Sequence, residues 1–383
     1  MFARINNVRV RGVRATVPPV EISIDDEVEY YNGSLKKVSR LRQMIGLNKR
    51  RICPEGVTAS DLCAHAAESL LKELGVDRAQ VDALLFLSQS PDYVMPATSC
   101  VLQHRLGLSS GCAALDLSQG CSGYIYGLWT AASLVASGGA RMALLLVGDA
   151  LPPRVPENRV VAPIFGEGGS ATLLCREEGA PPLAFSLGTD GAGYETICVP
   201  AGRARRPLSL NRDDDAELYT DFCDESGNPW RMTQPFMDGS KTFEFSITTV
   251  PAHLRGFMEH EGVTPDDVNA LVLHQANRQI VENVTANAGF PPEKAFSETF
   301  SNYGNLACAS VPAALCDMFG AAGKAGDLVL MSGFGVGLSW ASCLMRGEGT
   351  DVAAVRDYAS AAPPLSRADF MRHWRDIFTG KEE

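Results

Sequence analysis

The sequence predicts an α/β protein of two related halves, set about a pseudo-twofold axis in a layered α/β sandwich. Three observations predict it. Residues 75–87 are echoed by 262–274, each stretch following a helical segment and running into an apolar strand. Two further pairs follow in the same order, 144–148 with 329–333 and 165–171 with 334–340. At 383 residues the chain is too long for one small core, and one large or two fused α/β domains is the natural size. Matches repeated in one order are poorly explained by chance similarity of α/β segments.

Along the chain, residues 1–10 read as a first strand and 112–117 as a short buried strand. A turn, Ser118-Gln119-Gly120-Cys121, leads into a helix over 128–137 that Gly138-Gly139 stops. Residues 178–182, rich in Gly and Pro, mark the seam between the halves. In the second half 271–273 is a strand whose C-terminal end delivers His274-Gln275-Ala276-Asn277, followed by a helix over 278–288. Residues 301–305 read as a turn into a helix over 307–318, in the place that the Cys121 turn holds in the first half. The division is therefore 1–178, 179–347 and a C-terminal extension, 348–383. In the extension Ser366 and Asp369 open a helix, and Phe370, Trp374, Ile377 and Phe378 share one face of it. That face packs on the body, across a dimer, or on a partner.

Composition narrows the function. The chain is 45% hydrophobic and 21% charged, as ordinary globular proteins are, and no apolar run is long enough to span a membrane. A net charge of −11 speaks against general nucleic-acid binding. Eleven cysteines, none in Cys-x-x-Cys spacing and with no apolar signal segment ahead of them, predict free thiols in a reducing cytoplasm and no zinc site. No Gly-rich segment runs into Lys-Ser or Lys-Thr, so no phosphate loop of that type is predicted.

Cys121 is the first candidate for chemistry. It sits on a strand-to-helix turn, where unpaired peptide N–H groups and the helix dipole favour a thiolate, and a thiol there can fall below its free pKa of about 8.5. The alternative is a small buried apolar side chain. His274 lies where α/β folds place ligands, at a strand C-terminus. Pseudo-twofold packing would bring Cys121, His274 and Asn305 to one centre. For Asn305 the plain alternative is a turn asparagine. Gly335 and Gly337 suit close approach of backbone to a substrate, whereas Gly166 and Gly168 read as turn glycines.

With Gly-Cys-Ser-Gly after a strand, His274-Gln275-Ala276-Asn277, Tyr303-Gly304-Asn305 before a small-residue helix, and the terminal Gly333-Phe334-Gly335-Val336-Gly337, the sequence resembles the thiolase superfamily. Within it the resemblance is to β-ketoacyl-acyl-carrier-protein synthase III, over residues 1 to about 347. The resemblance implies that Cys121 takes an acyl group from a thioester, with the backbone N–H groups of Cys121 and Val336 holding the oxyanion. His274 and Asn305 would then donate to the enolate left when a malonyl-type thioester loses carbon dioxide. Neither metal nor redox cofactor is implied. Substrates would be thioesters of acyl-carrier-protein phosphopantetheine or coenzyme A, and the enzyme a homodimer, with Met95, before Pro96, where the neighbouring subunit reaches into the acyl pocket.

The resemblance also marks departures. Arg40 stands where the family has an aromatic residue against the coenzyme A adenine, while Arg159 matches its arginine partner. Arg278 lies in the carrier-docking stretch, and the usual basic position falls on Gln279. Residues 36–51 carry seven basic residues and no acid, Lys49 and Arg50 among them, and read as a docking patch for an acidic carrier or as a solvated face. Residues 201–235 form an unusually long segment, either a solvated loop or a lid over the acyl pocket. These departures suggest a specialised lipid, polyketide or surface-glycan pathway. The rival activities are acyl transfer from Cys121 to an alcohol or amine, against which Asn305 argues, and a non-catalytic interaction subunit. A hydroxymethylglutaryl-type synthase is disfavoured because no glutamate lies near Gln89-Ser90-Pro91.

Overall fold

In the computed structural model, which describes residues 1–380 apart from 32, 151–160, 162, 226, 296–297 and 361–365, two sheets dominate. In the first, strands run Asp351–Val352, Val8–Val17, Gly168–Arg176, Met142–Asp149, Ala83–Leu87, Ala113–Leu117, with Arg356–Asp357 also on Val8–Val17. In the second the order is Phe2–Ile5, Leu183–Thr189, Ser339–Arg346, Leu328–Gly335, Ala270–Leu273.

The duplication is visible in the pairing. Ala83–Leu87 lies parallel to Met142–Asp149, which turns back antiparallel on Gly168–Arg176. Ala270–Leu273, Leu328–Gly335 and Ser339–Arg346 repeat that pattern. Each sheet borrows an edge strand from far along the chain. Phe2–Ile5 pairs with Leu183–Thr189, and the C-terminal pieces at 351–357 pair with Val8–Val17.

The two sheets face each other across two buried helices, Gly123–Ala136 and Ser310–Phe319. Tyr124, Ile125, Leu128, Val311 and Leu315 meet Leu145 and Val147 of one sheet and Met331 and Cys343 of the other in one apolar cluster. Both helices are rich in small and apolar residues on the faces they bury, while Asp317 accepts from the Thr299 hydroxyl at 2.9 Å and the Tyr303 hydroxyl at 3.1 Å. On the outer faces, Ala59–Glu73 covers the first sheet, while Gly239–Glu261 and Arg278–Asn287 cover the second. Five layers result: helix, sheet, helix, sheet, helix. The central strands are buried on both faces, which is why they read as unbroken runs such as Leu144-Leu145-Leu146-Val147.

Several local expectations need correction. The helix expected over 128–137 starts at Gly123, so Cys121 lies only two residues ahead of it. Residues expected as a turn at 301–305 are mostly helical, Glu298–Tyr303, and the helix expected from 307 opens as a single 3₁₀ turn, Ala307–Ala309, before Ser310–Phe319. Among the described residues, the counterpart of Ala113–Leu117 in the second half is a parallel bridge, Leu271 with Ala295. In the extension, Ser366 caps the helix Arg367–Thr379 by accepting from the Asp369 N–H at 3.1 Å. Trp374 packs edge-on against Tyr93 with ring centroids 6.4 Å apart, while Phe378 stays exposed.

Candidate active site

Cys121, His274, Asn305 and Val336 line one cavity of about 570 Å³ at the seam between the halves. Each arrives by a different route. Cys121 comes from the turn after Ala113–Leu117, and His274 from the end of Ala270–Leu273, its N–H bonded to the Ser332 carbonyl at 2.8 Å. Asn305 follows Glu298–Tyr303 and is pinned by the first half. Its N–H donates to Ile164 O at 2.8 Å, and Gly166 N–H donates to Asn305 O at 3.1 Å. A Cβ on Gly166 would overlap the Tyr303 carbonyl oxygen, so Gly166 is required by this junction. The Asn305 Oδ1 accepts from the Ala307 N–H at 2.9 Å, which leaves the amide NH₂ as its donor edge.

Val336 is held beside Cys121 by a serine network. The hydroxyls of Ser122 and Ser339 lie 2.7 Å apart, Ser339 donates to Val336 O at 2.7 Å, and Gln119 Nε2 donates to Ser339 at 3.2 Å. Gly335 makes the approach possible. At φ +151°, a Cβ there would lie 2.9 Å from Cys121 Cβ and 3.0 Å from its Sγ.

The thiol departs from the sequence expectation. Burial pushes its pKa up to about 12, although the N–H groups of Val336 and of Cys121 itself pull the other way. Loss of water outweighs the helix N-terminus, so the thiol is neutral at physiological pH. His274 is also neutral, its pKa lowered to about 3 by burial. Its ring meets Phe334 edge-on at 5.6 Å, and Nδ1 has no hydrogen-bond partner among the described residues.

The remaining residues singled out from sequence lie elsewhere. Arg50 is corrected: it is buried, its guanidinium bonded to Glu27 (Nε to Oε2, 3.2 Å) and to Phe165 O at 3.4 Å, so it faces no docking partner. Lys49 pairs with Glu21 at 2.8 Å, Arg42 with Asp25 at 2.7 Å and Arg51 with Asp357 at 2.9 Å. The basic run is thus largely neutralised by acids from neighbouring segments. Lys36, Lys37 and Arg40 are exposed. Arg278 is half-buried against Gly46, and Met95 is 81% exposed, outside this cavity. Arg159 lies outside the described residues. Sequence reasoning missed Gln89, whose side chain lies against Gly120 and lines the cavity, because nothing in local spacing links residue 89 to residue 121. The segment over 201–235 supplies Ala201, Arg203, Leu208, Tyr219 and Pro235 to the cavity wall.

Comparison with known proteins identifies the family. Residues 115–191 match the 3-oxoacyl-[acyl-carrier-protein] synthase III family, and 258–347 match the C-terminal part of that family. A β-ketoacyl-[acyl-carrier-protein] synthase III of Rhodopirellula baltica is 32% identical over 367 residues, covering 90% of this chain and all of the relative. One from Natranaerobius thermophilus is 30% identical, covering 85% and 96%. The crystal structure of a 3-oxoacyl-(acyl-carrier protein) synthase from Burkholderia xenovorans superposes with a TM-score of 0.84 at 32% identity, over 94% of this chain and 99% of that one. The chain belongs to the β-ketoacyl-acyl-carrier-protein synthase III family, condensing acyltransferases of thiolase fold.

Proposed function

We propose that the enzyme moves an acyl group from a coenzyme A or carrier-protein thioester to Cys121 and then condenses it with a malonyl-type thioester. The observation that carries this reading is the convergence of Cys121, His274, Asn305 and Val336 on one cavity. The Cys121 sulfur attacks the thioester carbonyl, its proton passes to the departing thiol by way of His274, and a new thioester forms on Cys121. The backbone N–H groups of Cys121 and Val336 hold the oxyanion, donors worth roughly 3–4 kcal/mol each in other enzymes. The malonyl-type thioester then loses carbon dioxide, and the electron pair left behind forms an enolate. His274, neutral, and the Asn305 NH₂ donate to its oxygen. The enolate carbon attacks the acyl carbon, the carbon–sulfur bond to Cys121 breaks with its electron pair going to sulfur, and the thiolate takes a proton from solvent water, the one proton that the overall reaction consumes. Every bond made or broken is accounted for without metal or redox cofactor.

We place this reaction in the cytoplasm and in a homodimer. No helix among the described residues is long and apolar enough to cross a membrane. Val94 and Met95, 86% and 81% exposed on the single chain, support contact with a second copy. Lys36, Lys37 and Arg40, all exposed, are the cations we assign to carrier or phosphate contact, with Arg278 against Gly46 at the C-terminal end of the same helix, Leu35–Ile45. The departures at Arg40 and Gln279 point to a specialised lipid, polyketide or surface-glycan pathway. The deciding experiment is intact-mass detection of acyl-enzyme, with peptide mapping, alongside release of labelled carbon dioxide from the malonyl-type partner. Acyl label on a cysteine other than Cys121, or acyl transfer to an alcohol or amine without carbon dioxide release, would replace this reading.

A further inference from the structure

We propose that Asp149, a buried carboxylate that no catalytic step uses, is a positioning residue for condensation: it holds the Ala307–Cys308 peptide and thereby aims the Asn305 amide at the enolate. This rests on the enolate role given to Asn305 above. Asp149 ends the strand Met142–Asp149 and is fully buried. Among the described residues no cation pairs with it. Burial pushes its pKa up, against hydrogen bonds from the Cys308 thiol first and then from the N–H groups of Gln89 and Cys308. A carboxylate without a counter-charge is costly inside a protein and persists only where donors replace its water. Asp149 has donors on both oxygens. Its Oδ1 accepts from the Gln89 N–H at 2.8 Å, the Ser88 hydroxyl at 3.1 Å and the Ser90 hydroxyl at 3.2 Å. Backbone orients those hydroxyls in turn. The Ser90 N–H donates to Ser88 Oγ at 2.9 Å and the Ala150 N–H to Ser90 Oγ at 3.0 Å, which leaves each hydroxyl proton for the carboxylate. Its Oδ2 reaches across to the second half and accepts from the Cys308 N–H at 3.4 Å.

The Cys308 end bears on the chemistry. Ala307 is held at φ +49°, a left-handed conformation that a residue with a Cβ keeps only where its surroundings fix it. Hydrogen bonds on two consecutive N–H groups do so. The Ala307 N–H donates to Asn305 Oδ1 at 2.9 Å, and the Cys308 N–H donates to Asp149. Both residues are buried, so water cannot replace either partner. Without the Asp149 bond, Ala307 can relax toward an ordinary helical φ, which swings its N–H away from Asn305. The Asn305 side chain then loses the contact that sets which edge of the amide faces the cavity. The oxyanion donors, on Cys121 and Val336, stand outside this chain of contacts. Asp149→Asn is a selective lesion. Its oxygen still serves the three donors of the first half, while its NH₂ meets the Cys308 N–H donor to donor.

The test measures Cys121 acylation by intact mass, with acetyl- and octanoyl-coenzyme A as donors, and labelled carbon dioxide release from malonyl-acyl-carrier protein. Wild type, Asp149→Asn, Asn305→Ala and the double variant are compared. Asp149→Asn should lower carbon dioxide release by roughly tenfold to a hundredfold, as a misaimed group does, and acylate at about the wild-type rate. In the Asn305→Ala background it should change release by less than about twofold, because the group it aims is gone. Ser90→Ala removes one Oδ1 donor from the same cluster and should lower the melting temperature while keeping release near wild type. Asp149→Ser, too short to reach Cys308, should repeat the loss of release. Circular dichroism and melting curves establish which variants fold. Four results would each overturn the proposal and leave the role of Asn305 intact. These are unchanged release in a folded Asp149 variant, a loss of equal size with and without the Asn305 side chain, a fall in Asp149→Asn acylation as steep as that in release, and a Ser90→Ala loss as large as that of Asp149→Asn. If neither Asp149 variant folds, Asp149 serves stability alone and the proposal falls. Wild-type release from Asn305→Ala would instead overturn the enolate reading, and this proposal with it.

Discussion

Replacing Asn305 separates condensation from acyl transfer, and the structure says which replacement to trust. The side chain does two jobs at once. Its Oδ1 accepts from the buried Ala307 N–H at 2.9 Å, and its NH₂ is the donor assigned to the enolate. Asn305→Ala removes both. The orphaned Ala307 N–H, on a residue held at φ +49°, should cost about 1–3 kcal/mol of stability. Loss of one of two enolate donors should cost a further ~3 kcal/mol in the transition state, roughly a hundredfold in rate. Asn305→Asp keeps an oxygen for Ala307 and so keeps the local fold, but exchanges the donor for an acceptor. It should melt closer to wild type than Asn305→Ala and still lose at least a hundredfold in decarboxylation. Both variants should acquire the acyl group on Cys121 at near wild-type rates, because the oxyanion donors are backbone groups of Cys121 and Val336. The assay is labelled carbon dioxide release and intact-mass acyl-enzyme, measured on the same samples with melting curves. If Asn305→Asp decarboxylates at the wild-type rate, the enolate assignment is wrong and plain acyl transfer becomes the better reading.

Three further outcomes follow from the geometry. Because burial raises the Cys121 pKa to about 12, its thiolate is present at high pH and lost as pH falls. Alkylation of Cys121 by a small neutral reagent, read by peptide mass spectrometry, should climb about tenfold per pH unit from 7 to 9, and a plateau below pH 8 would refute that environment. Gly335→Ala puts a Cβ 2.9 Å from Cys121 Cβ, and a displacement of the thiol on the order of 1 Å should slow acylation about a hundredfold in single-turnover measurements. Arg50→Ala breaks a buried ion pair with Glu27 and should lower stability by about 3–5 kcal/mol with no change in KM for the carrier substrate, whereas Lys37→Glu with Arg40→Glu should raise that KM and weaken its salt dependence. A carrier KM that responds to Arg50 in folded protein would restore it to the docking surface.

The sequence by itself determined the duplication, the strand-turn-helix around Cys121 and the three residue types that meet in the cavity. Those features are written in short-range periodicity and in motifs of a few residues, so they survive being read one segment at a time. The tertiary structure decided what depends on neighbours far along the chain. The turn at Cys121 suggested a lowered thiol pKa, yet packing of both halves around the thiol removes water and raises it. The run from Lys36 to Arg51 reads as a basic patch until Glu21, Asp25, Glu27 and Asp357 are folded against it. Residues 201–235 read equally well as loop or lid, and that Ala201, Arg203, Leu208, Tyr219 and Pro235 line the cavity shows only in the fold, because the strands that return both ends to one place are two residues each, too short for a sequence pattern to show. Charge, desolvation and cavity shape are sums over everything nearby in space, and only the fold says what is nearby.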